Sequence, residues 1–211
     1  MNDLDPDKTV LVLGATGGLG AEVARQLVVD GWQVRTLHRR ASVTPETRAG
    51  ITWLRGDALN AGDVAAAAQG CSVIVHAVNP PGYQRWAELV LPMLHNTIAA
   101  AQAQGATVLL PGNVYNYGPD AWPLAHEDAP QHPTTRKGQV RVQMEQALET
   151  ATQQGGAGPG CRALIVRAGD FFGPLGGSNW FVQALVKPGK PVRKVLLPGQ
   201  RGVPHQWGYL P

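Results

Sequence analysis

The sequence predicts a doubly wound α/β fold, a mostly parallel sheet with helices on both faces, followed by a small and incomplete C-terminal lobe. Three observations predict it. Short apolar runs alternate with stretches of helical spacing through most of the 211 residues. The first apolar run leads through a glycine turn straight into a helix-like stretch. After residue 168 the alternation gives way to Gly- and Pro-rich sequence. Strand–helix alternation is the signature of parallel sheets whose ligands sit at the carboxyl ends of the strands. The division expected is 1–168 for the main domain and 169–211 for the lobe.

Each element has its own warrant. Val10-Leu11-Val12-Leu13 is a buried strand, and Gly14-Ala15-Thr16-Gly17 turns the chain. Leu19, Val23 and Leu27 then recur at helical spacing, and Gly31 stands where a helix C-cap belongs. Trp32–Leu37 is a second strand, ending in His38-Arg39-Arg40. Ile51–Leu54 is a third, followed by Arg55-Gly56-Asp57-Ala58; Ala61–Gln69 is an Ala-rich helix. Cys71–Ala77 is a fourth strand that runs into Val78-Asn79-Pro80-Pro81-Gly82. Tyr83–Gln104 has helical spacing with Pro92 inside it, which predicts a kink or a displaced start. Val108–Leu110 is a fifth strand, and residues 111–133 form a long, proline-rich loop of the kind that is usually functional.

The helix Thr134–Gln153 carries the apolar stripe Val140, Met144, Ala147, Leu148 and Ala151, and Cys161–Ala168 is the sixth strand. In the lobe, Gly169–Pro174 reads as a turn, Gly176-Gly177 as a loop, Trp180–Val186 as a short helix and Val192–Leu197 as a strand. Residues 199–211 read as irregular, with no evident closing element.

Composition narrows the function. Hydrophobic residues make up 44% of the chain, enough for a sizeable core. The first eight residues, MNDLDPDK, are polar and acidic, with neither the positive nor the apolar region of a signal peptide. No run approaches a membrane span. The net charge of +3, without a basic block, gives no reason to expect nucleic acid. Six histidines lack metal-ligand spacing, and no metal is expected. Cys71 and Cys161 have no partner motif and suggest inert thiols in a reducing compartment, the cytoplasm.

The glycine stretch carries the chemistry. A strand, a glycine turn and a helix, in that order, aim the first helical N–H groups and the positive end of the helix dipole at whatever lies above the strand. Gly14, Gly17 and Gly20 each remove a Cβ from that space, so Gly14, Ala15, Thr16, Gly17, Gly18, Leu19 and Gly20 are expected to cradle a pyrophosphate. In such folds the tip of the second strand lies beside the adenosine ribose, where an acidic residue accepts from a 2′-OH and a basic one accommodates a 2′-phosphate. His38, Arg39 and Arg40 occupy that tip with no carboxylate among them, which favours NADP(H) over NAD(H).

These residues resemble the short-chain dehydrogenase/reductase superfamily, in its extended or atypical branch of the NAD-dependent epimerase/dehydratase type, and the resemblance spans essentially the whole chain. It implies a Rossmann-like fold whose C-terminal lobe binds substrate. Gly14-x-x-Gly17-x-x-Gly20 matches that branch's glycine motif. Asp57, with Ala58, matches the family's adenine-ring position, and Ala77-Val78-Asn79 the loop along the cofactor ribose. Asn113-Val-Tyr115-Asn-Tyr117-Gly118 matches the segment after the fifth strand, and Arg167 through Gly173-Pro174 the turn near the nicotinamide. The implied activity is hydride transfer at a carbonyl or alcohol of a small organic or nucleotide-sugar-like molecule. A homodimer through Tyr83–Gln104 and Thr134–Gln153 is implied by resemblance only.

Two departures stand out. The family's Ser/Thr and Tyr-x-x-x-Lys set reads Asn113, Lys137 and Arg141 here, so the usual phenol is absent. Lys137-x-x-x-Arg141-x-x-x-Glu145 is similar to isoflavone-reductase-like and NmrA-like members, in which a lysine takes over near the nicotinamide or the protein only senses the cofactor. Second, family members carry more chain beyond this point; the expectation is a truncated product or an unusually small lobe.

Lys137 is then the candidate proton donor, or the donor that holds a carbonyl or the nicotinamide ribose. The competing reading is an exposed Lys-Arg-Glu ladder of i,i+4 pairs. Arg141 is a candidate anchor for a phosphate or carboxylate, since a guanidinium is a poor base. Asn113 can orient a carbonyl or simply serve a turn. Tyr115 and Tyr117 are alternative phenols, and Asp170 a possible polar contact in the substrate cleft. Trp180, Phe181 and Trp207 suit either a substrate wall or the packing of the lobe, and His126, Glu127 and Asp128 a solvent-exposed loop.

Overall fold

The structure is a computed structural model that describes residues 8–80, 85–153, 160–173, 179, 181, 185–187, 189–196 and 202–210. Its elements in order are β1 (Thr9–Leu13), α1 (Gly18–Val29), β2 (Gln33–His38), β3 (Glu46–Arg48), β4 (Ile51–Arg55), α2 (Ala61–Ala67) and β5 (Val73–His76). They continue with α3 (Trp86–Gln104), β6 (Thr107–Asn113), α4 (Arg136–Gln153), β7 (Arg162–Ala168), β8 (Asp170–Phe172) and β9 (Trp207–Tyr209).

Seven strands form one sheet in the order β3-β4-β2-β1-β5-β6-β7. All neighbours are parallel except β3 with β4. The chain winds outward from β1 through β2 to β4, then returns to β5 on the other side of β1. That reversal makes the carboxyl ends of β1 and β5 the topological switch point, where open α/β sheets bind ligands.

Burial explains the strand sequences. Val10, Leu11, Val12 and Leu13 are at most 1% exposed, because β1 lies mid-sheet with both faces covered. Leu11, Leu13, Ile74, Val108 and Leu110 face one apolar cluster with Val90, Leu94, Met144 and Leu148 from α3 and α4. Val10, Val12, Val34 and Val75 face the other, beneath Ala24 and Leu27 of α1. The predicted stripe of α4 is the buried face, with Gly138 and Glu145 added to it. Cys71 and Cys161 are free and buried, and burial pushes both thiols above their ordinary range.

Several expectations need correction. Residues 46–48, to which the sequence reading assigns no element, form the edge strand β3, folded back on β4 by Ala49 and Gly50, both at positive φ (49° and 78°). Two consecutive residues at positive φ make the tight hairpin turn whose twist suits antiparallel strands. The helix α3 runs through Pro92 and begins at Trp86, so Pro92 does not set its start. β6 extends to Asn113, and the long loop contains two short 3-10 turns, Val114–Asn116 and Pro119–Ala121.

The lobe differs most. Asp170–Phe172 is a strand rather than a turn, and Trp207–Tyr209, read as irregular, closes it as a parallel partner. Residues 192–196 form no strand. Phe172, Phe181, Trp207 and Tyr209 stack at centroid distances of 5.2–6.3 Å, so Phe181 and Trp207 serve the packing of the lobe. The expected loop 176–177 and Trp180 itself lie outside the described residues.

Candidate cofactor crevice and substrate-side cleft

The three motif glycines do three different jobs. Gly14 adopts φ +95°, and a Cβ there would lie 2.4 Å from the Ala77 carbonyl oxygen. A Cβ on Gly20 would lie 2.3 Å from the Gly14 oxygen. Both are therefore demanded by the chain's own backbone, the first to turn tightly against the β5 loop, the second to seat α1 on that turn. Gly17 differs: its Cβ would meet only the Gly14 oxygen, at 3.4 Å, an ordinary contact. The expectation that all three clear space for a ligand thus narrows to Gly17.

Gly17 is also the N-cap of α1, with no side-chain cap and no acidic residue in the first turn. Thr16 and Gly17, which lead into α1, are exposed. An uncapped helix N-terminus under a glycine with open space above it is the arrangement that receives a pyrophosphate. Ala77 to Asn79 form the opposite lip. The Ala77 N–H donates to the Leu13 carbonyl, and the Asn79 Oδ1 accepts from Trp86 Nε1 at 3.0 Å, which ties the lip to α3.

At the far end of this crevice the tips of β2 and β4 enclose a small cleft of about 470 Å³ lined by Arg39, Val43, Arg55, Gly56, Asp57 and Asp63. The Asp63 Oδ2 accepts from the Asp57 N–H, and the Asp57 Oδ1 from the Leu59 N–H. Ala58 is buried behind them. Arg55 was missed in the sequence; its position at the end of β4, two residues before Asp57, was the available signal. His38 packs edge-on against Trp53 and Arg40 is exposed, both outside the lining of this cleft.

On the other side of the switch point lies a larger cleft of about 1240 Å³. Lys137 lines it, at the start of α4, with Tyr115, Tyr117, Trp122, Asp170 and His205. Trp122 and Leu124 add apolar surface from the long loop, at 63% and 70% exposure. Asn113 sits at the end of β6, where its Oδ1 accepts from the Tyr115 N–H at 2.7 Å and caps the 3-10 turn. Arg141 does not line this cleft. Its guanidinium lies over the Trp86 ring at 5.3 Å and donates to the Pro111 carbonyl at 3.5 Å.

The Lys-Arg-Glu ladder does not form as an exposed row. Glu145 is only 6% exposed and turns inward to Arg167 of β7, which donates through Nε and Nη2 at 2.8–3.2 Å. Gln131 donates to the same carboxylate at 2.7 Å and accepts from Asn116 at 3.3 Å. Arg167 also donates to the Glu127 carbonyl and lies over the Tyr117 ring. This half-buried network pins the long loop to the sheet, so His126 and Glu127 line the cleft as well as meeting solvent. Glu145 holds the Arg167 guanidinium above its ordinary range.

Two histidines not singled out from the sequence, His205 and His76, complete the picture, the first beside the expected Tyr115 and Asp170. Asp170 accepts from the Tyr115 hydroxyl at 2.8 Å and pairs with His205 Nε2 at 2.7 Å. His76, at the end of β5, is buried, and desolvation, with Arg141 nearby, lowers it to about 3. Its Nδ1 lies 2.8 Å from the Thr97 hydroxyl, which itself donates to the Met93 carbonyl. The hydroxyl is thus left to accept, and the His76 proton sits on Nδ1.

Residues 14–153 match the family described as NAD(P)H-binding. A Synechocystis protein provisionally named a dihydroflavonol 4-reductase is 43% identical over 67 residues, which are 31% of this chain and 19% of that one. Among solved structures, UDP-glucose 4-epimerase from Thermotoga maritima, determined with UDP-glucose, superposes with a TM-score of 0.66 at 16% identity, covering 79% of this chain and 57% of that one. UDP-glucose 4-epimerase from Brucella ovis, in complex with NAD, gives 0.62 at 17%, covering 79% and 52%. The chain therefore spans little more than half of these solved relatives. Among the described residues no helix is long and apolar enough to cross a membrane, and no group of three metal-ligating side chains converges.

Proposed function

The chain belongs to the family described as NAD(P)H-binding, and from that premise we propose that it is a member of the short-chain dehydrogenase/reductase superfamily, an NADP(H)-preferring oxidoreductase or epimerase-like protein acting on a carbonyl or alcohol carbon of a small organic or nucleotide-sugar-like molecule. The observation that carries this reading is Gly17, the one motif glycine with open space above it, at the uncapped start of α1 on the switch point. In this reading the N–H groups of residues 14–20 hold the pyrophosphate, residues 77–79 lie along the ribose, and Asp57 and Ala58 face the adenine. Arg39, beside His38 and Arg40, takes the 2′-phosphate. The division at residue 168, a homodimer through α3 and α4 and a cytoplasmic setting belong to the same reading.

The bound nicotinamide supplies the hydride chemistry; the protein positions and polarises. Lys137, on the cleft wall, is the cation we assign to the substrate oxygen. Arg141, stacked on Trp86, steadies the α4 side of the site.

A second reading, a cofactor-binding sensor without turnover, is favoured by Asn113. Its oxygen is taken by the turn it caps, so that position offers no hydroxyl and only an amide nitrogen to a substrate. Titration calorimetry with NADPH and NADH, followed by a panel of aldehydes, ketones and alcohols read at the nicotinamide absorbance band, separates the two. An enzyme shows substrate-dependent turnover that Lys137→Ala lowers; a sensor binds NADPH and turns over nothing. Arg39→Asp is expected to erase the preference for NADPH. Failure to bind either nucleotide overturns both readings.

A further inference from the structure

We propose that His205 is the acid–base group of the larger cleft, held there by Asp170 and Tyr115; the proposal rests on the oxidoreductase reading above. The three residues come from distant parts of the chain: Tyr115 follows β6, Asp170 opens β8, and His205 precedes β9. All three line the same cleft as Lys137. Their convergence is fixed by backbone. The Asp170 N–H donates to the Gln206 carbonyl at 3.0 Å, and β8 pairs with β9 in the register Asp170 with Trp207. Gly169 makes this approach possible, since a Cβ there would lie 2.1 Å from the Gln206 oxygen.

The hydrogen bonds assign the roles. The Asp170 side chain is 13% exposed, and each of its oxygens is engaged: Oδ1 by the Tyr115 hydroxyl at 2.8 Å, Oδ2 by His205 Nε2 at 2.7 Å. A carboxylate only accepts, so the proton of the neutral imidazole sits on Nε2 and the exchanging nitrogen is Nδ1. A carboxylate that orients an imidazole and stabilises its charged form is the arrangement of an acid–base histidine. Trp207 stacks on the ring at 4.8 Å and fixes its plane. The His205 side chain is 50% exposed, which gives it access to solvent protons. Asp170 and Tyr115 are positioning residues.

The proton balance is simple. A bound dihydronicotinamide would supply the hydride for the new C–H bond and be left as the oxidised nicotinamide, with the carbonyl π pair passing to the oxygen. That oxygen takes the proton from His205 Nδ1. The neutral ring keeps its Nε2 proton on Asp170 and recovers the other from solvent. Oxidation runs the same transfers in reverse, and Lys137 polarises the oxygen in both directions. The other titratable groups lining the cleft, among the described residues, are Tyr117, His126, Glu127, Arg136, Lys137 and Arg167.

The test compares wild type with His205→Gln, Asp170→Asn and Tyr115→Phe in three measurements: NADPH affinity, turnover of the carbonyl panel across pH, and ¹⁵N spectra of the imidazoles. His205→Gln is expected to keep NADPH affinity within about twofold, to lower kcat by about 100-fold or more, and to lose one limb of the pH profile. Asp170→Asn and Tyr115→Phe are expected to lower kcat by less than His205→Gln does, with NADPH affinity again within about twofold. Wild-type His205 is expected as the Nε2–H tautomer, a preference lost in Asp170→Asn. Turnover that survives His205→Gln with its pH profile intact overturns the assignment and leaves the oxidoreductase reading standing. An Nδ1–H tautomer in wild type overturns it independently of turnover. NADPH binding with no turnover in wild type overturns both.

Discussion

Replacing Gly17 and Gly20 by alanine, one at a time, separates the two duties of the glycine motif. In Gly17→Ala the new methyl lies 3.4 Å from the Gly14 oxygen and touches nothing else of the chain. The backbone there, at φ −88° and ψ 164°, suits any residue. Alanine is a poorer N-cap than glycine by about 0.5–1 kcal/mol, but it stiffens the unfolded chain by about 0.4–1 kcal/mol. The net change in stability is therefore close to zero. In the proposed reading the methyl takes space that the pyrophosphate needs at the start of α1. Loss of one or two charge-assisted hydrogen bonds, about 1.5–3 kcal/mol each, weakens NADPH binding by about 10- to 100-fold or more. Gly20→Ala reverses the pattern. Its methyl would sit 2.3 Å from a backbone oxygen that cannot yield without moving the turn. Overpacking of this kind costs about 1–3 kcal/mol, or a melting temperature lower by about 2–12 °C at this chain length. Thermal melting by circular dichroism and titration calorimetry with NADPH read the two quantities. Unchanged NADPH affinity in Gly17→Ala, or an unchanged melting temperature in Gly20→Ala, would refute the division of labour.

Acid should destabilise the protein through His76. The ring is held neutral in the folded state down to about pH 3, while the unfolded chain takes up a proton near 6.5. Stability is full above pH 6.5 and falls as the pH drops toward 3, by about 2–3 kcal/mol between pH 6.5 and 4.5. Urea titrations of wild type and His76→Gln check this, and an equally steep pH dependence in the variant would sink it. Truncating Glu145 to Ala strands the Arg167 guanidinium and should cost about 2–4 kcal/mol, less than a fully buried pair because Arg167 keeps the Glu127 carbonyl. The double change Glu145→Leu with Arg167→Met should recover much of that in a chemical-denaturation cycle; strict additivity would argue against the pairing. Cys71 and Cys161 should resist a colorimetric disulfide reagent in the native protein and react once it is unfolded, because both are buried and their thiolates disfavoured.

What could be read from the sequence was what local patterning controls. The strands at the centre of the sheet are runs such as Thr9–Leu13, buried on both faces, and the helices carry regular stripes. The glycine turn after β1 was legible because Gly14 and Gly20 are required by the backbone there. The edge strand Glu46–Arg48 was not, because it is short, polar and one-sided; its only local sign was the Ala49-Gly50 turn. The pairing of β8 with β9 was hidden for another reason. Each has three residues, they are separated by more than thirty, and their register comes from Gly169 meeting Gln206 rather than from any periodicity. The Tyr115–Asp170–His205 cluster depends on that pairing and was invisible with it. The sequence left open the competing reading that put Glu145 in a surface ladder, because helical spacing gives a side chain's direction but not the partner waiting on the next strand, here Arg167.

The two ends of the large sheet carry different risks of self-association. At one end β3 offers three residues, with an ion pair between Arg48 and Glu46, and a charged stub of this kind resists pairing with another chain. At the other end β7 offers seven residues, bonded to β6 along one side, with Leu164 and Val166 half exposed. If copies of this chain aggregate at high concentration, β7 is where strand addition begins. A single lysine at position 164 would then raise solubility without touching the proposed cofactor crevice.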